Sequence, residues 1–483
     1  MSKFNTAASA PTTKTYEGAK AYEKELEQDW MNILFSSFLE NGYYEDAQTM
    51  GNRFLELTDK MAAKYGYRFI AKAAQFSRNE LGMRSISQLA MSYLNSKSYE
   101  GKRQDFTNYF HRPDDVSEIF AAIESAGEKR SHALVRGAAD YLSTCDEYQL
   151  AKYSMCGKKF NMFDLINITH AHSAAIDAYK AGRITSPDTW EHNIMVAPDQ
   201  ESREEAWRQL VENNKMGYLA LLRNLRNILD CNFATVSWIE KYLVPQLTNE
   251  YKIKKSLVFP YQIYLAYKNL VAPHYSVVAA LDKAFRISTS NVPNLDGDNL
   301  IILDVSGSMN SYVSFQSSVT IKELGAVYAA MILFANPKTD FIKFASKFKK
   351  CSYKTNTNVF AVIDMMQRED NLGCGTSIIP VLDSLDKSYD RMFLISDMQV
   401  MDGYGYGYGY GGRIPASYVN QYMQKSGKTH IYSFDLGNYK SQIMNPNAKN
   451  LTLLTTLNET VFKMLEFLEK GGKSLVDYIN ETY

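Results

Sequence analysis

The hydrophobic pattern of this chain changes once, near residues 290–299, and this change limits the possible folds more than any other feature. From about Tyr16 to Ile287, apolar residues recur three and four positions apart, as in EKELEQDWMNILFSSFLE. That spacing is typical of amphipathic helices. After SNVPNLDGDN, short and fully apolar runs alternate with helical segments. The pattern therefore predicts two domains of different class, an all-helical one followed by an α/β one.

Short polar breaks such as ENGYYED, HRPDD and TSPD divide the first part into ten or more helices. Asp and Ser in these breaks are suited to cap the next helix, and Pro113 marks a helix boundary because it disfavours helical backbone at Arg112. Successive helices without strand signals favour stacked helix pairs of the α-solenoid type. No repeat of fixed length supports this, so the prediction rests on helix order. We assign residues 16–295 to this domain and residues 1–15 to a flexible polar arm.

Four apolar runs in the second part are predicted strands, and helical segments separate them: NLIILDVSG, TDFIKFAS, RMFLISD and THIYSFDL. Strands that are apolar throughout and connected by helices indicate a parallel sheet covered on both faces. Residues 296–483 are therefore predicted to form a doubly wound, Rossmann-like domain. In such sheets the binding site lies at the carboxyl ends of the strands.

Charge and cysteine content exclude several classes of protein. The 53 Lys and Arg residues balance the 53 Asp and Glu residues, which argues against general attraction to nucleic acid or anionic membranes. No apolar run reaches the length of a membrane span, and the polar N-terminus does not have the pattern of a secretory signal. The cysteines are odd in number and widely spaced, which predicts free thiols in a reducing, cytoplasmic compartment. They are Cys145, Cys156, Cys231, Cys351 and Cys374.

The strongest chemical signal is a D-x-S-x-S pattern at the end of the first predicted strand, IILDVSGSM. A turn there would direct one carboxylate and two hydroxyl groups into the same space. A threonine in GCGTS and an aspartate in LISD follow at other strand–helix junctions, on the same edge of the sheet. Oxygen ligands of this kind suit Mg²⁺, or alternatively Mn²⁺. The predicted metal ligands are Asp304, Ser306, Ser308, Thr376 and Asp397.

Other interpretations of the same residues remain. D-x-S-x-S also occurs as an ordinary polar strand end. A haloacid-dehalogenase nucleophile is an aspartate after an apolar strand, but that motif has a second aspartate where this chain has Ser306. No general base stands beside either serine and no G-x-S-x-G elbow is present, which disfavours nucleophilic catalysis. A magnesium-dependent phosphoester hydrolase at Asp304 is the enzymatic alternative.

A local excess of positive charge lies in the helical part, where the segment from Lys129 to Lys159 holds six Lys and Arg residues against three Asp and Glu. Lysines on a surface would neutralise phosphates. For each cation the alternative is a solvated helix face or an internal salt bridge, and Arg112 in particular precedes two aspartates. A His170–His172 metal pair lacks further ligands. The candidate phosphate-binding residues are Lys152, Lys158, Lys159, His170, Arg84, Arg112 and Arg136.

One low-complexity segment, GYGYGYGYGG at Gly403–Gly412, follows Asp397. Glycine disfavours helix and strand, which predicts a mobile loop near the metal ligands. The loop is either a passive tether or, because tyrosine rings stack on bases, a contact surface.

Several phrases in the helical part are distinctive as a set: NELGMRSIS, FHRPDDVSEI, DEYQLAKYSMCGKKFNMFDLINITHAH, TWE (Thr189–Glu191) and LALLRNLRNI. Their order and spacing resemble the TROVE module followed by a von Willebrand factor A domain, as in the Ro autoantigen and its bacterial relatives, and the resemblance runs from about Tyr16 to the C-terminus. The resemblance implies HEAT-like helical repeats closed into a ring by the A domain, in a monomeric protein. The five predicted metal ligands resemble the metal-ion-dependent adhesion site of A domains, whose open position takes a carboxylate from a partner.

The same resemblance implies a non-enzymatic RNA-binding protein. Family members bind small non-coding Y RNAs and the single-stranded 3′ ends of misfolded RNAs, act in RNA quality control and scaffold exonucleases. Lys152 and His170 correspond to the RNA-contacting region of the family. Because this chain is neutral, weaker or more selective single-strand binding is expected. The alternative function is a protein-interaction adaptor that acts through the metal site.

Overall fold

The computed structural model of the chain forms two compact units. The sheet unit comprises residues 1–32, 40–47 and 217–470, and the helical unit comprises residues 33–39, 48–216 and 471–483. Thr189–Glu191, Cys156 and the Gly403–Gly412 segment lie outside the described residues. The structure describes residues 11–15, 18–37, 39, 46–155, 157–184, 194, 197–256, 258, 260–289, 292–313, 318–400, 419, 421–422, 425–437, 439, 441–445, 448, 450–454, 460–471 and 474–483.

The helical unit contains α-helices and one short 3₁₀ turn, Leu94–Ser96, in its described part. The helix Leu26–Ser36 precedes most of it in sequence and ends within it. The helices of the unit are Ala47–Tyr65, Tyr67–Asn79, Ser85–Tyr93, Lys102–Tyr109, Pro113–Ser125, His132–Thr144, Glu147–Lys152, Met162–Thr169, Ala174–Lys180, Gln200–Glu212 and Leu475–Thr482.

The packing of these helices fits the stacked helix pairs that the sequence predicted. The helix Lys102–Tyr109 packs between Tyr67–Asn79 and His132–Thr144, while Ser85–Tyr93 packs on Pro113–Ser125. Gly137 permits a close approach of the helices Lys102–Tyr109 and His132–Thr144, because a Cβ atom there would lie 2.8 Å from the Arg103 carbonyl oxygen. Alternating contacts of this kind are the arrangement of stacked helix pairs.

A buried carboxylate connects three segments of the helical unit. Asp115 is fully buried in the first turn of the helix Pro113–Ser125, where the positive end of the helix dipole favours it. Arg78 donates to its two oxygens at 3.1 and 3.0 Å, and Gln88 donates at 3.2 Å. The backbone N–H of Arg112 donates to the same carboxylate at 3.2 Å. Asp115 thereby holds the HRPDD loop against two neighbouring helices.

The sheet unit is built on a six-stranded sheet. Its strands are β3 (Asn299–Asp304), β4 (Asp340–Phe344), β5 (Phe348–Cys351), β6 (Arg391–Ser396), β7 (His430–Asp435) and β9 (Leu451–Leu454). Their order across the sheet is β5-β4-β3-β6-β7-β9. All neighbours pair in parallel except β5, which runs antiparallel to β4. The parallel sheet predicted from the sequence is confirmed, and each of the four predicted strands is present.

A small antiparallel sheet accompanies the large one, in the order β1-β2-β8. Its strands are β1 (Thr13–Lys14), β2 (Lys20–Glu23) and β8 (Ser441–Gln442). The helical pattern was expected to begin near Tyr16, so β2 corrects that expectation. Four residues are too few for a period, and their strand conformation comes from pairing with Ser441–Gln442, more than 400 positions away.

The remaining helices of the sheet unit include several from the predicted helical part, and a π-helical turn at Ile239–Leu243. Gly325 lets one helix approach the sheet, because a Cβ atom there would lie 3.1 Å from Ile395 and 3.2 Å from Leu303. The helices are Tyr218–Arg223, Leu225–Leu229, Val236–Trp238, Val244–Leu247, Glu250–Lys255, Pro260–Lys268, Tyr275–Ser288, Ile321–Ala335, Val359–Gln367, Ile379–Asp383 and Thr460–Glu469.

The compact units group residues by packing and not by sequence range. The helices between Tyr218 and Ser288 belong to the sheet unit, whereas the last helix packs on Tyr67–Asn79 in the helical unit, with the rings of Phe76 and Tyr478 5.6 Å apart. The domain limits at 16–295 and 296–483 therefore stay a prediction. In the part of the chain that is described, no helix has both the length and the apolar character needed to cross a membrane.

We expect Asp115→Asn to lower the free energy of unfolding of the helical unit by about 3 kcal/mol, because it leaves the mostly buried Arg78 guanidinium without its counter-charge. Urea unfolding followed by circular dichroism measures this. Asp140→Asn is the matched control, since its ion pair with Arg103 is solvent-exposed and should cost no more than about 1 kcal/mol. Equal losses in the two variants would contradict a special role for Asp115.

Candidate functional site

Asp304, the first predicted metal ligand, is the last residue of β3 and is fully buried. One carboxylate oxygen accepts the backbone N–H of Ser306 at 2.8 Å, and the other accepts the hydroxyl of Ser396 at 2.6 Å. Burial raises the pKa of Asp304 above its ordinary value. Its side chain is thus held in one orientation at the carboxyl edge of the sheet.

The two serines follow in a tight turn beside this carboxylate. Ser306 is fully buried, Ser308 is half-buried, and their hydroxyl oxygens lie 3.4 Å apart. The backbone N–H of Gly307 donates to the carbonyl of Cys374 at 2.9 Å, which joins this turn to the GCGTS loop. Gly307 has no room for a larger side chain without crowding that carbonyl, since a Cβ atom would lie 3.3 Å from it.

Asp397 follows β6, the strand next to β3, and is buried as deeply as Asp304. One of its carboxylate oxygens accepts the backbone N–H of Gln399 at 3.1 Å. Burial, together with repulsion from Asp304, raises the pKa of Asp397 to about 7, while a hydrogen bond with Ser308 acts in the opposite direction. The two predicted aspartates are therefore close enough to interact electrostatically.

Thr376 is buried in the loop between the helices Val359–Gln367 and Ile379–Asp383. The backbone N–H of the next residue, Ser377, donates to the carbonyl of Ala345 just after β4, at 2.9 Å. This bond and the Gly307–Cys374 bond hold the GCGTS loop on the edge where β3 and β4 end.

The edge combines two buried carboxylates with three hydroxyl groups, and this donor set fits a hard divalent cation. Two carboxylates that repel each other in a desolvated place would both be stabilised in ionised form by such a charge. Among the described residues no group of three or more His, Cys, Asp or Glu side chains is placed to hold a metal. A metal at this edge would therefore depend on hydroxyl oxygens in addition to Asp304 and Asp397.

Ser396 also belongs to this set of residues and was not among the predicted ligands. It precedes Asp397, donates to Asp304 and accepts the backbone N–H of Met398 at 3.0 Å. The serine in LISD could have indicated this role. A hydroxyl group at the end of a buried strand can reach the last side chain of the neighbouring strand.

A buried ion pair lies at the same carboxyl edge and was also missed. Lys24 follows β2, Asp435 ends β7, and their charged atoms are 2.7 Å apart with almost no exposure. The pairing depends on contacts between distant parts of the chain, and no local pattern around Lys24 indicates it.

The predicted phosphate-binding cations lie in the helical unit, and several pair with acidic groups. Lys158 lies 3.5 Å from Glu118, and Lys159 lies 3.1 Å from Glu124. All four side chains are about half exposed or more. Exposed pairs of this kind contribute little stability, so the lysines are available to another anion.

Arg84 and Arg112 share one partner, Asp114, at 2.8 and 2.9 Å. The guanidinium of Arg112 also lies over the ring of Tyr153, 4.8 Å from its centre. The two arginines thus come together at the HRPDD loop, and the structure places each of them in an internal ion pair.

Lys152, Arg136 and His170 are exposed. Lys152 donates to the hydroxyl of Tyr148 at 3.1 Å and lies over its ring. His170 ends the helix Met162–Thr169 with a left-handed backbone (φ 55°, ψ 36°), which non-glycine residues adopt rarely and which directs the chain away from the helix. Arg136 and Lys152 lie on two different helices, and His170 follows a third.

Comparisons with known proteins agree with the resemblance found in the sequence. The TROVE domain family model matches residues 155–276. The telomerase protein component 1 of Rattus norvegicus is 22% identical over 42% of this chain, and that of Mus musculus is 21% identical over 50%. The chain spans only 11–12% of the length of these relatives.

One solved structure shares the fold along most of the chain. The Ro (RSR) protein of Deinococcus radiodurans matches with a TM-score of 0.62 and 16% identity, and the match covers 93% of this chain and 100% of that one. The resemblance to TROVE proteins is thereby confirmed, and the likeness to the Ro structure concerns the fold alone.

When a chelator keeps metal ions away, Asp397 makes the free energy of unfolding decrease as pH rises. The folded chain keeps a proton on this carboxyl up to about pH 7, whereas the unfolded chain releases it near pH 4. Between these values the folded state binds more protons, so the free energy of unfolding decreases with increasing pH. We expect Asp397→Asn to remove this pH dependence. The free energy of unfolding of the variant, relative to that of the original chain, should therefore rise between about pH 4 and about pH 7.

Chemical unfolding at a series of pH values, with a chelator present, measures the difference. Asp386→Asn, at a side chain that is 79% exposed, is the control and should keep the original slope. A constant difference between Asp397→Asn and the original chain across this range would contradict the raised pKa.

Proposed function

We propose that this protein binds RNA without catalysing a reaction, as the protein component of a ribonucleoprotein. The observation that carries the proposal is the TROVE match at residues 155–276, because it includes Lys158, Lys159 and His170 and begins three residues after Lys152. The shared fold with the Ro protein over 93% of the chain supports it.

The electrostatics of the helical unit are compatible with this role. Lys158 and Lys159 are at least half exposed, and each pairs with an exposed glutamate. When a phosphate replaces Glu118 or Glu124, the lysine exchanges an exposed ion pair that contributes little stability for an ion pair with RNA. The exchange also releases counterions from the RNA. Binding by exchange of this kind suits a chain without net charge.

The proposal extends to the RNA and to the setting. Small non-coding, Y-like RNAs and the single-stranded 3′ ends of misfolded RNAs are the proposed ligands, RNA quality control in the cytoplasm is the proposed role, and an exonuclease is the proposed protein partner. A monomeric ring of HEAT-like repeats, closed by an A domain, is the fold that the resemblance implies. These finer points rest on that resemblance.

The combined variant Lys152→Glu and Lys159→Glu is expected to bind RNA at least tenfold more weakly than the original chain. Two lost phosphate contacts should also reduce the slope of log affinity against log salt by about 1.4 for a single strand. Fluorescence anisotropy with a hairpin RNA that carries a single-stranded 3′ end, at several salt concentrations, measures both quantities.

The matched control is Lys60→Glu with Lys338→Glu, which makes the same change of charge at two exposed positions elsewhere. Its affinity should stay within a factor of about two to three. An original chain that binds no RNA at low salt would disprove the proposed function, and equal losses in both double variants would show that net charge alone determines affinity.

We also propose that Asp304, Ser306, Ser308, Thr376 and Asp397 hold a divalent cation, Mg²⁺ or Mn²⁺. Bound there, the ion would supply positive charge to the two buried carboxylates and a position for a ligand oxygen. Support comes from the burial of both aspartates and from the hydrogen bonds that fix the orientation of the Asp304 carboxylate. The chain's own residues orient the carboxylates, and Gly307 keeps the two loops in contact.

A second function, as a protein-interaction adaptor, rests on the surroundings of these residues. Tyr312 is 65% exposed and comes shortly after the Ser308–Asn310 turn. A large exposed ring beside a metal site is the type of residue that contributes strongly to protein interfaces. The proposed partner group is a carboxylate, because it would complete the coordination of the ion.

Millimolar Mg²⁺ or Mn²⁺ is expected to raise the melting temperature of the original chain by several degrees, since a ligand at a hundred times its dissociation constant adds about 2.7 kcal/mol of stability. Asp304→Asn should abolish the rise while RNA affinity is kept, and Asp386→Asn should preserve the rise. Differential scanning fluorimetry with and without metal measures it. An equal rise in Asp304→Asn would contradict the site.

A further inference from the structure

Positive charge is concentrated in a part of the chain that the sequence patterns did not single out. Residues 217–289 hold nine Lys and Arg residues and only four Asp and Glu, whereas residues 16–216 hold 24 and 30. The cations are Arg223, Arg226, Lys241, Lys252, Lys254, Lys255, Lys268, Lys283 and Arg286, and the acids are Asp230, Glu240, Glu250 and Asp282. The basic excess therefore lies on the helices of the sheet unit.

Two large aromatic side chains are exposed on the same helices. Tyr251 is 71% exposed on the helix Glu250–Lys255, and Tyr275 is 82% exposed at the start of the helix Tyr275–Ser288. In both helices other residues provide the buried face, with Ile253 in the first and Val277, Leu281 and Phe285 among those in the second. Neither ring is therefore needed to pack its helix against the rest of the unit.

Two exposed lysines accompany the first ring on the helix Glu250–Lys255. Lys255 is placed over the ring of Tyr251, 5.5 Å from its centre, and Lys254 pairs with Glu250 at 2.6 Å between two exposed side chains. The charges of Lys254 and Lys283 both act on Glu250, after the hydrogen bond from Lys254, to lower its pKa. Lys283 therefore lies near the helix Glu250–Lys255.

Helix geometry connects the second ring to this group. Tyr275, Ala279 and Lys283 are exposed and four positions apart, which puts them in one stripe along the helix. The helix Glu250–Lys255 packs against this helix. We call Tyr251, Lys254, Lys255, Tyr275 and Lys283 the lysine–tyrosine face. Within the described part of the chain, neither Lys255 nor Lys283 makes an ion pair.

We propose that the lysine–tyrosine face binds single-stranded RNA, with phosphates on the three lysines and bases stacked on Tyr251 and Tyr275. The inference rests on the proposed function and adds a second RNA-contacting surface, located on the sheet unit. Cations interleaved with exposed rings suit a single strand, since every base has a face that can stack and every nucleotide carries a phosphate. An acidic protein would satisfy the lysines, but a single strand repeats both a phosphate and a stackable base at every nucleotide, which matches lysines interleaved with exposed rings.

The test compares charge reversal with removal of the rings. Lys254→Glu with Lys255→Glu and Lys283→Glu is expected to weaken binding of a labelled oligouridylate at least tenfold and to reduce the salt slope by about two. Tyr251→Ala with Tyr275→Ala is expected to weaken binding fivefold or more at unchanged salt slope, and Tyr251→Phe with Tyr275→Phe to bind as the original chain does. Fluorescence anisotropy of the full chain measures each variant.

The charge control is Lys338→Glu with Lys347→Glu and Lys350→Glu, at three exposed lysines outside the face. Circular dichroism of all variants should be unchanged, because every altered side chain is exposed. The proposal is overturned if the face variants bind oligouridylate as the original chain does. It is also overturned if the tyrosine variant is unaffected and polyglutamate competes as well as RNA, since the partner would then be an acidic protein.

These results separate the inference from the proposed function. If Lys152→Glu with Lys159→Glu loses RNA while the face variants keep it, the proposed function stands and the lysine–tyrosine face is not its surface. If the original chain binds neither RNA, both fail together.

Discussion

Two buried carboxyl groups, Asp304 at the end of β3 and Asp397 just after the adjacent parallel strand β6, lie close enough to interact electrostatically, and the surrounding loops are organised around them. Each carboxylate accepts a backbone N–H from two residues further along the chain, and Asp304 also accepts the Ser396 hydroxyl. The raised pKa values show that these bonds do not fully offset burial and repulsion. A proton or a cation is the remaining means of compensation, and this need favours a metal at the edge.

Strand order places this pair where a doubly wound sheet offers a crevice. The parallel strands follow the order β4-β3-β6-β7-β9, so the chain moves to one side of β3 first and then to the other. Loops leaving β3 and β6 therefore separate at their carboxyl ends, which is the general location of binding sites in such sheets. The site is a consequence of topology as much as of the D-x-S-x-S pattern.

Electroneutrality of the whole chain conceals a separation of charge. The helices before residue 217 carry an excess of acid, part of which binds internal arginines, as Asp114 and Asp115 do. The helices after residue 217 carry the excess of base, together with two exposed tyrosine rings. A nucleic acid responds to local potential within about a Debye length, so zero net charge does not prevent binding.

Local sequence was enough to predict the change from stacked helices to a parallel sheet, because burial on one face or on both leaves a period in the apolar residues. The candidate ligands at the carboxyl edge of the sheet could also be predicted from it, since parallel strands must end on a common side. Contacts in three dimensions were needed to see that Ser396 orients Asp304, that β2 is a strand, that Asp114 binds two of the predicted arginines, and that Lys283 lies near Glu250. These features depend on contacts between residues distant in the chain, which local periodicity does not encode.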